Sequence, residues 1–337
     1  MRVFQIEGDW GIDHLRLAVR PEPEPGPGQV LVRMKASSLN YRDLVVPLRG
    51  YGRHTGTLPL IPVSDGVGEV TAVGPGVRRV APGDRVCPTF FQHWTSGEPD
   101  AERLAGSLGG PLDGTMAEFM CLSEEGVVRL PAHLTDVEAA TLPCAALTAW
   151  SALTIGEGTR PGDRVLVQGC GGVALFALTF AKLFGAQVTV ISSSPARIER
   201  ARALGADAAV DYRAVPEWAK ATREFTAGRG YDLVVELGGE KTLPQSLLCV
   251  RPGGTVAMIG VLSGATMAAS IGRIVTRQVR LQGVTVGSRD AFEAMLRAIG
   301  QHRVRPVVDR VFAFEELKDA LACLRTGAQF GKLCIAH

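Results

Sequence analysis

Between Arg164 and Val261 the chain repeats one local pattern. Short β-branched, apolar runs ("RVLVQ", "QVTVIS", "AAVD", "YDLVVE", "TVAMIGV") alternate with stretches of helical periodicity ("GVALFALTFAKL", "PARIERARALG", "TLPQSLLC"). Strands and helices alternating at this spacing predict a doubly wound parallel sheet with helices on both faces. That pattern constrains the rest. Residues 1–125 read as strands and turns: "QVLVRMKASSLN" alternates into an apolar run. "GVGEVTAVGPGV" spaces its valines with glycines, as bent and bulged strands do. The 337-residue chain holds two domains. We expect a β-rich domain at 1–125, the doubly wound domain at 126–265, and a return segment at 266–337 that completes the first. Residues 92–114, rich in Gly, Ser, Pro and charge, read as a mobile loop.

The first strand–helix junction reads Gly169-x-Gly171-x-x-Ala174. Gly169 permits the tight turn, Gly171 lets backbone approach a pyrophosphate, and Ala174 lets the helix close on the sheet. The helix start, through Gly172 and Val173, offers N–H groups and positive potential to phosphates. Set between a strand and a helix, the motif points to a dinucleotide. The second strand end selects which one. A carboxylate there would hold the ribose 2′-OH of NAD and repel the 2′-phosphate of NADP. This chain places Ser192, Ser193, Ser194 and Arg197 there instead. Hydroxyls and a guanidinium suit a phosphate, so we expect NADPH. Ser194 also occupies an N-cap position ahead of Pro195. Tyr212 reads either as an adenosine contact or as a half-buried strand end.

Taken together, "LNYRD", "SDGVGEV", two copies of "PGDRV", "LPCAALTAW", "QGCGGVA" and the closing "FGK" resemble the medium-chain dehydrogenase/reductase superfamily over nearly the whole chain. The resemblance implies an α/β fold, a Rossmann domain plus a GroES-like catalytic domain, with the active site in a cleft. It also implies a dimer or tetramer. Many members bind zinc, which needs three protein ligands and an open position. Here the ligand positions carry Asn40, Ser64 (followed by Asp65) and Cys144, and no cysteine lies between Cys87 and Cys121 to build a structural zinc lobe. We therefore expect no metal. The resemblance narrows to zinc-free quinone oxidoreductase-like and enoyl reductase members, and to quinones or α,β-unsaturated carbonyls as substrates.

Within that resemblance Asn40 is the donor to the substrate oxygen or to the nicotinamide ribose, Asp43 orients its loop or caps a helix, and Tyr51 is either the proton donor or a wall of the pocket with water supplying the proton. Tyr41, Thr148 and Trp150 border the substrate. Gly260, Val261, Leu262, Gly287 and Ser288 meet the nicotinamide, and Phe330 and Lys332 return toward the cofactor, Lys332 near its phosphates. Two other readings stand: a cofactor-binding protein without turnover, and an alcohol dehydrogenase with a degenerate metal site. The net charge of +2 gives no electrostatic reason for nucleic acid or an anionic membrane. Seven scattered cysteines without C-x-x-C spacing read as reduced, buried thiols. With no spanning apolar run and no signal-peptide core, the expected location is the cytoplasm.

Overall fold

The computed structural model describes residues 1–266 and 269–337. It divides into two compact units, Met1–Leu147 with Val286–His337, and Thr148–Thr285.

The first unit opens with β1 (Arg2–Ile6) and β2 (Leu15–Val19), an antiparallel pair. Its organising strand is β3 (Gln29–Ser38). After the short α1 (Arg42–Val45), β4 (Asp65–Val73) returns antiparallel to β3, with Ser38 opposite Asp65. Register shifts at Leu31/Val32 and Met34/Ala36 bend this pair. Gly68 is required there, since a Cβ would lie 2.4 Å from the Arg33 carbonyl oxygen. β5 (Arg85–Pro88) follows β4, β6 (Phe119–Ser123) pairs with β3, and β7 (Val127–Arg129) pairs with β5. Val30, Val32, Met34, Val70, Val86, Met120 and Val127 form one core of this sheet. Thr135 caps α2 (Asp136–Ala139) with a reciprocal Thr135–Glu138 box, and a π-helical turn, Leu142–Ala146, follows.

The second unit begins within α3 (Leu147–Leu153). Its elements run β8 (Arg164–Gln168), α4 (Gly172–Leu183), β9 (Gln187–Ser192), α5 (Pro195–Ala203), β10 (Ala208–Asp211), α6 (Trp218–Glu224), β11 (Tyr231–Glu236), α7 (Leu243–Cys249), β12 (Val250–Met258), α8 (Ile271–Thr276) and β13 (Arg280–Gly283). All six strands are parallel, in the order β10-β9-β8-β11-β12-β13. The order reverses between β8 and β11, which opens a crevice beyond their carboxyl ends.

The chain then re-enters the first unit through α9 (Arg289–His302), β14 (Val308–Ala313), α10 (Leu317–Arg325) and β15 (Lys332–Ala336). β15 pairs antiparallel with β3, Cys334 opposite Ser38, so the return segment completes the β-rich sheet. A second core of that unit joins Val3, Ile6, Leu15 and Leu39 to Leu317, Leu321, Leu333 and Ile335.

Three expectations change. The units exchange at 147/148 and 285/286 rather than at 125/126 and 265/266. The π-helical turn stays with the β-rich unit because the Cys144 N–H donates to Asp65 of β4, and β13 stays with the parallel sheet because it pairs with β12. Residues 92–114 are pinned as well as exposed: Trp94 and Leu108 are buried, and the Trp94 and Thr95 carbonyls accept the Arg289 and Asp290 N–H groups at 2.9 and 3.0 Å.

Candidate functional site

In the parallel unit, Gly169 takes φ +80°, which the turn out of β8 requires. A Cβ built on Gly169 or Gly171 meets no atom within 4 Å, so the space above the turn is open. Gly171 is the N-cap of α4 and no side chain caps that helix, while Gly172 and Val173 are half-buried in its first turn. Ala174 is fully buried against the sheet. Open space, an uncapped helix start and a switch point together fit the diphosphate of a dinucleotide.

At the end of β9 the serines part company. Ser192 is buried at the end of β9. Ser193 and Ser194 are half-buried, and Ser194 sits at the N-cap of α5 without spending its hydroxyl on the helix. Arg197 lies in the first turn of α5, beside them. Tyr212 follows β10, exposed, its N–H donating to the Ser192 carbonyl at 3.0 Å. Gly260, Val261 and Leu262 follow β12 at the same carboxyl-end edge, the last two exposed. Trp150 packs edge-on against Phe180 of α4 and against Phe184, the residue that caps its C-terminus, at 5.1 Å from the latter, and Thr148 is buried.

Sequence reasoning passed over the polar core of the switch point. The fully buried Glu236 ends β11. Its Oε1 accepts the Gly238 and Gly239 N–H groups, both at 2.9 Å, and the Thr242 hydroxyl. Oε2 accepts Gln168 Nε2 at 2.6 Å and the Ser246 hydroxyl. Gln168 Oε1 in turn accepts the Leu237 and Gly238 N–H groups at 3.0 and 3.1 Å. A carboxylate closing a run of buried residues just before Gly-Gly was the available signal.

In the β-rich unit a second polar cluster forms because β3 pairs with both β4 and β15. The end of β3 and the starts of the other two therefore converge. Asn40 follows β3, Ser64 and Asp65 open β4, Lys332 opens β15, and Cys144 enters from the π-helical turn. Val63, immediately before them, holds φ +73°, a costly conformation for a β-branched residue. Ser64 Oγ donates to Asp65 Oδ1 at 2.7 Å, and the Cys144 N–H donates to Asp65 Oδ2 at 3.0 Å. Asn40 Nδ2 reaches Ser64 Oγ at 3.4 Å. Lys332 is 3 % exposed, and its Nζ donates to the Leu39 carbonyl and to Asn40 Oδ1, each at 2.6 Å. The Lys332 ammonium is thus buried and committed to two oxygens of the β3 end. Burial raises the Asp65 carboxyl, opposed by the Lys332 charge and by hydrogen bonds from Asn40, Ser64 and Cys144.

Asp43 is buried on α1 and pushed up to about 6 by burial, against the pull of Arg42 and the Asn40 N–H. Its Oδ2 accepts that N–H at 2.7 Å, while Oδ1 has no partner among the described residues. Arg42, also unforeseen, stacks over Phe90 at 4.7 Å and donates to the Leu108 and Gly110 carbonyls. Tyr51 is exposed at its edge, and partial burial raises its phenol, with Arg42 pulling the other way. Tyr41 is exposed. Ser288 spends its hydroxyl capping α9 on the Ala291 N–H at 3.2 Å, and Gly287 and Phe330 are buried, so this group lies inside the unit rather than on an open face.

The donor set does not fit zinc. Burial and Asp65 push the Cys144 thiol far above its ordinary value, which opposes the thiolate a metal needs. Asn40 and Ser64 are neutral, both Asp65 oxygens already accept hydrogen bonds, and Lys332 places a positive charge beside them. No group of three His, Cys, Asp or Glu among the described residues could hold a metal ion. No helix of those residues is long and apolar enough to cross a membrane.

Two family models match: an alcohol dehydrogenase GroES-like domain at 26–132 and a zinc-binding dehydrogenase domain at 172–301. The chain is 41 % identical to the zinc-type alcohol dehydrogenase-like protein C1773.06c of Schizosaccharomyces pombe, over 91 % of this chain and 90 % of that one. Among solved structures it is similar to an NAD-dependent alcohol dehydrogenase (TM-score 0.91, 35 % identity, all of both chains). It is also similar to the crotonyl-CoA carboxylase/reductase AntE in complex with NADP (TM-score 0.87, 27 % identity, all of this chain and 94 % of that one).

Proposed function

Because the chain belongs to the medium-chain dehydrogenase/reductase superfamily of oxidoreductases, we propose that it is a metal-independent, NADPH-dependent reductase of quinones or α,β-unsaturated carbonyls. The observation that carries this reading is the cluster at the end of β3, where an ammonium, an amide and a hydroxyl stand in place of a metal-binding set. Bound NADPH supplies a hydride, two electrons and a proton's mass, to the electron-poor carbon of the acceptor. The displaced π electrons come to rest on the carbonyl oxygen as an enolate or hydroquinone oxyanion. Such acceptors spread that charge over their own π system and need no Lewis acid.

In this scheme the Asn40 amide donates to the developing oxyanion, and Tyr51, partly exposed and protonated at neutral pH, or water, returns the proton that completes the product. The turn at Gly169–Ala174 holds the diphosphate. Ser193, Ser194 and Arg197 favour NADPH, since no carboxylate stands between Val188 and Arg197. AntE, similar in fold, is solved with NADP. We propose further that the chain assembles as a homodimer or homotetramer through β13, the outer strand of the parallel sheet.

The names of the similar alcohol dehydrogenases favour a second reading, alcohol oxidation with NAD at a degenerate site. One experiment separates the two. The purified protein is dialysed against a chelator, analysed for metal, and assayed for NADPH oxidation with small quinones and enones and for NAD(P) reduction with alcohols. We expect quinone or enone turnover unchanged by the chelator and no stoichiometric metal. Alcohol oxidation lost on dialysis and restored by zinc would establish the second reading. Tight NADPH binding with no turnover of any acceptor would make the protein a cofactor binder.

A further inference from the structure

We propose that Lys332 is a positioning residue for the reduction: its ammonium fixes the Asn40 amide with the oxygen held inward, and stands as the resident positive charge behind the donor that receives the substrate oxyanion. This rests on the reductase reading above.

Hydrogen-bond chemistry fixes the direction of every link. An ammonium only donates, so the Asn40 atom 2.6 Å from Nζ is Oδ1 and the amide cannot sit flipped. Ser64 Oγ donates to Asp65 Oδ1, which leaves its lone pairs to Asn40 Nδ2. The chain runs from the Lys332 ammonium through Asn40 and Ser64 to the Asp65 carboxyl. Bonds aligned in this way polarise one another, and withdrawing electrons at Oδ1 makes the Nδ2 hydrogens better donors. The Nδ2 contact to Ser64 is long, 3.4 Å, and Asn40 is half-exposed, so its donors are weakly committed and reachable. The fold maintains this at a cost. A lysine at 3 % exposure is expensive to bury, and an apolar side chain of similar size would be cheaper at a strand start. The strained Val63 backbone, just ahead of Ser64 and Asp65, marks the same place.

The test compares Lys332→Met and Lys332→Arg with the native enzyme on two acceptors, 2-cyclohexenone, which concentrates charge on one oxygen, and 9,10-phenanthrenequinone, which spreads it. Lys332→Met should lower kcat about 100-fold for the enone and less than about 5-fold for the quinone, the size of a lost oxyanion donor. Lys332→Arg should recover part of the enone loss, and the Kd for NADPH should stay within about 2-fold. Should Lys332→Met fail to fold, Asn40→Asp keeps a partner for the ammonium while removing the donor, and should show the same split between acceptors. Equal losses on both acceptors, or a tenfold weaker NADPH Kd with kcat intact, would overturn the proposal. The latter would return Lys332 to the cofactor.

A probe that needs no turnover separates this from failure of the reductase reading. With NADP⁺ present, 4-nitrophenol is titrated by its phenolate absorbance. The native protein should hold the phenolate at a pH at least about 1 unit lower than Lys332→Met does. An identical titration for the two proteins, or no bound phenolate in the native one, would sink the proposal even if quinones are reduced. A Lys332-dependent shift in a protein that reduces nothing would refute the reductase reading and leave only the hold of Lys332 on the Asn40 donor standing.

Discussion

Asp43 shows how one buried carboxyl sets a pH dependence. Burial raises it to about 6, with Arg42 the chief opposing charge, then the Asn40 N–H; the Asp65 charge reinforces the rise and Lys332 opposes it. The folded state therefore holds this proton more tightly than the unfolded chain, whose aspartate titrates near 4. Between those two values the folded protein binds more protons, so stability falls as pH rises through the window. A shift of this size corresponds to on the order of 3 kcal/mol. Asp43→Asn keeps an oxygen for the Asn40 N–H and removes the ionisation. We expect native and variant to differ by that amount more at pH 7 than at pH 4, in the variant's favour, in urea unfolding at the two pH values. A parallel pH dependence in both proteins would mean that Asp43 is not the titrating group. Oδ1 has no partner among the described residues, and that is what a carboxyl still carrying its proton best tolerates.

In the proposed function the β9–α5 junction carries the coenzyme choice as an element. Ser193→Asp puts at this strand end the carboxylate that the sequence lacks, beside the first turn that carries Arg197. We expect kcat/KM for NADPH to fall about 100-fold while that for NADH holds or rises, the scale of one lost charge-assisted contact. An unchanged coenzyme ratio would place the 2′-phosphate elsewhere. This junction was readable in advance because its signals are local: strand, Gly turn, helix and strand end lie within thirty residues. The alternation that announced the parallel sheet is local in the same sense. What could not be read depends on contacts far apart in the chain. Lys332 lies 292 residues from Asn40, and only the pairing of β15 with β3 shows that its stem turns inward. Ser192 and Ser194 have identical chemistry, yet Ser192 is the buried last residue of β9 while Ser194 is the half-buried N-cap of α5, a difference set by where the strand stops. β13 follows the six-residue α8, and a four-residue edge strand carries too little periodicity to announce which sheet it joins.

For the whole molecule, the parallel sheet ends on one side at β13, and an edge strand offers unpaired backbone groups to another chain. Arg280, Gln282 and Gly283 of that strand are exposed. Just before it, α8 presents Ile271, 73 % exposed, and Val275, 66 % exposed, one helical turn apart on one face. In the assembly proposed above, a second copy covers both, related by a two-fold axis that sets β13 against its equivalent. Covering each side chain is worth roughly 1.5–3 kcal/mol per protomer, and a charge in its place adds a desolvation cost. Ile271→Glu combined with Val275→Glu should therefore shift the sedimentation coefficient from that of the native oligomer to a smaller species while leaving the far-UV circular dichroism unchanged. NADPH binding should survive, because Gly169–Ala174 and the β9 end lie at the carboxyl edge of the inner strands and not on β13. A native protein that sediments as a 35.7 kDa monomer, or a double variant that keeps the native size, would leave this edge to be protected by some other means.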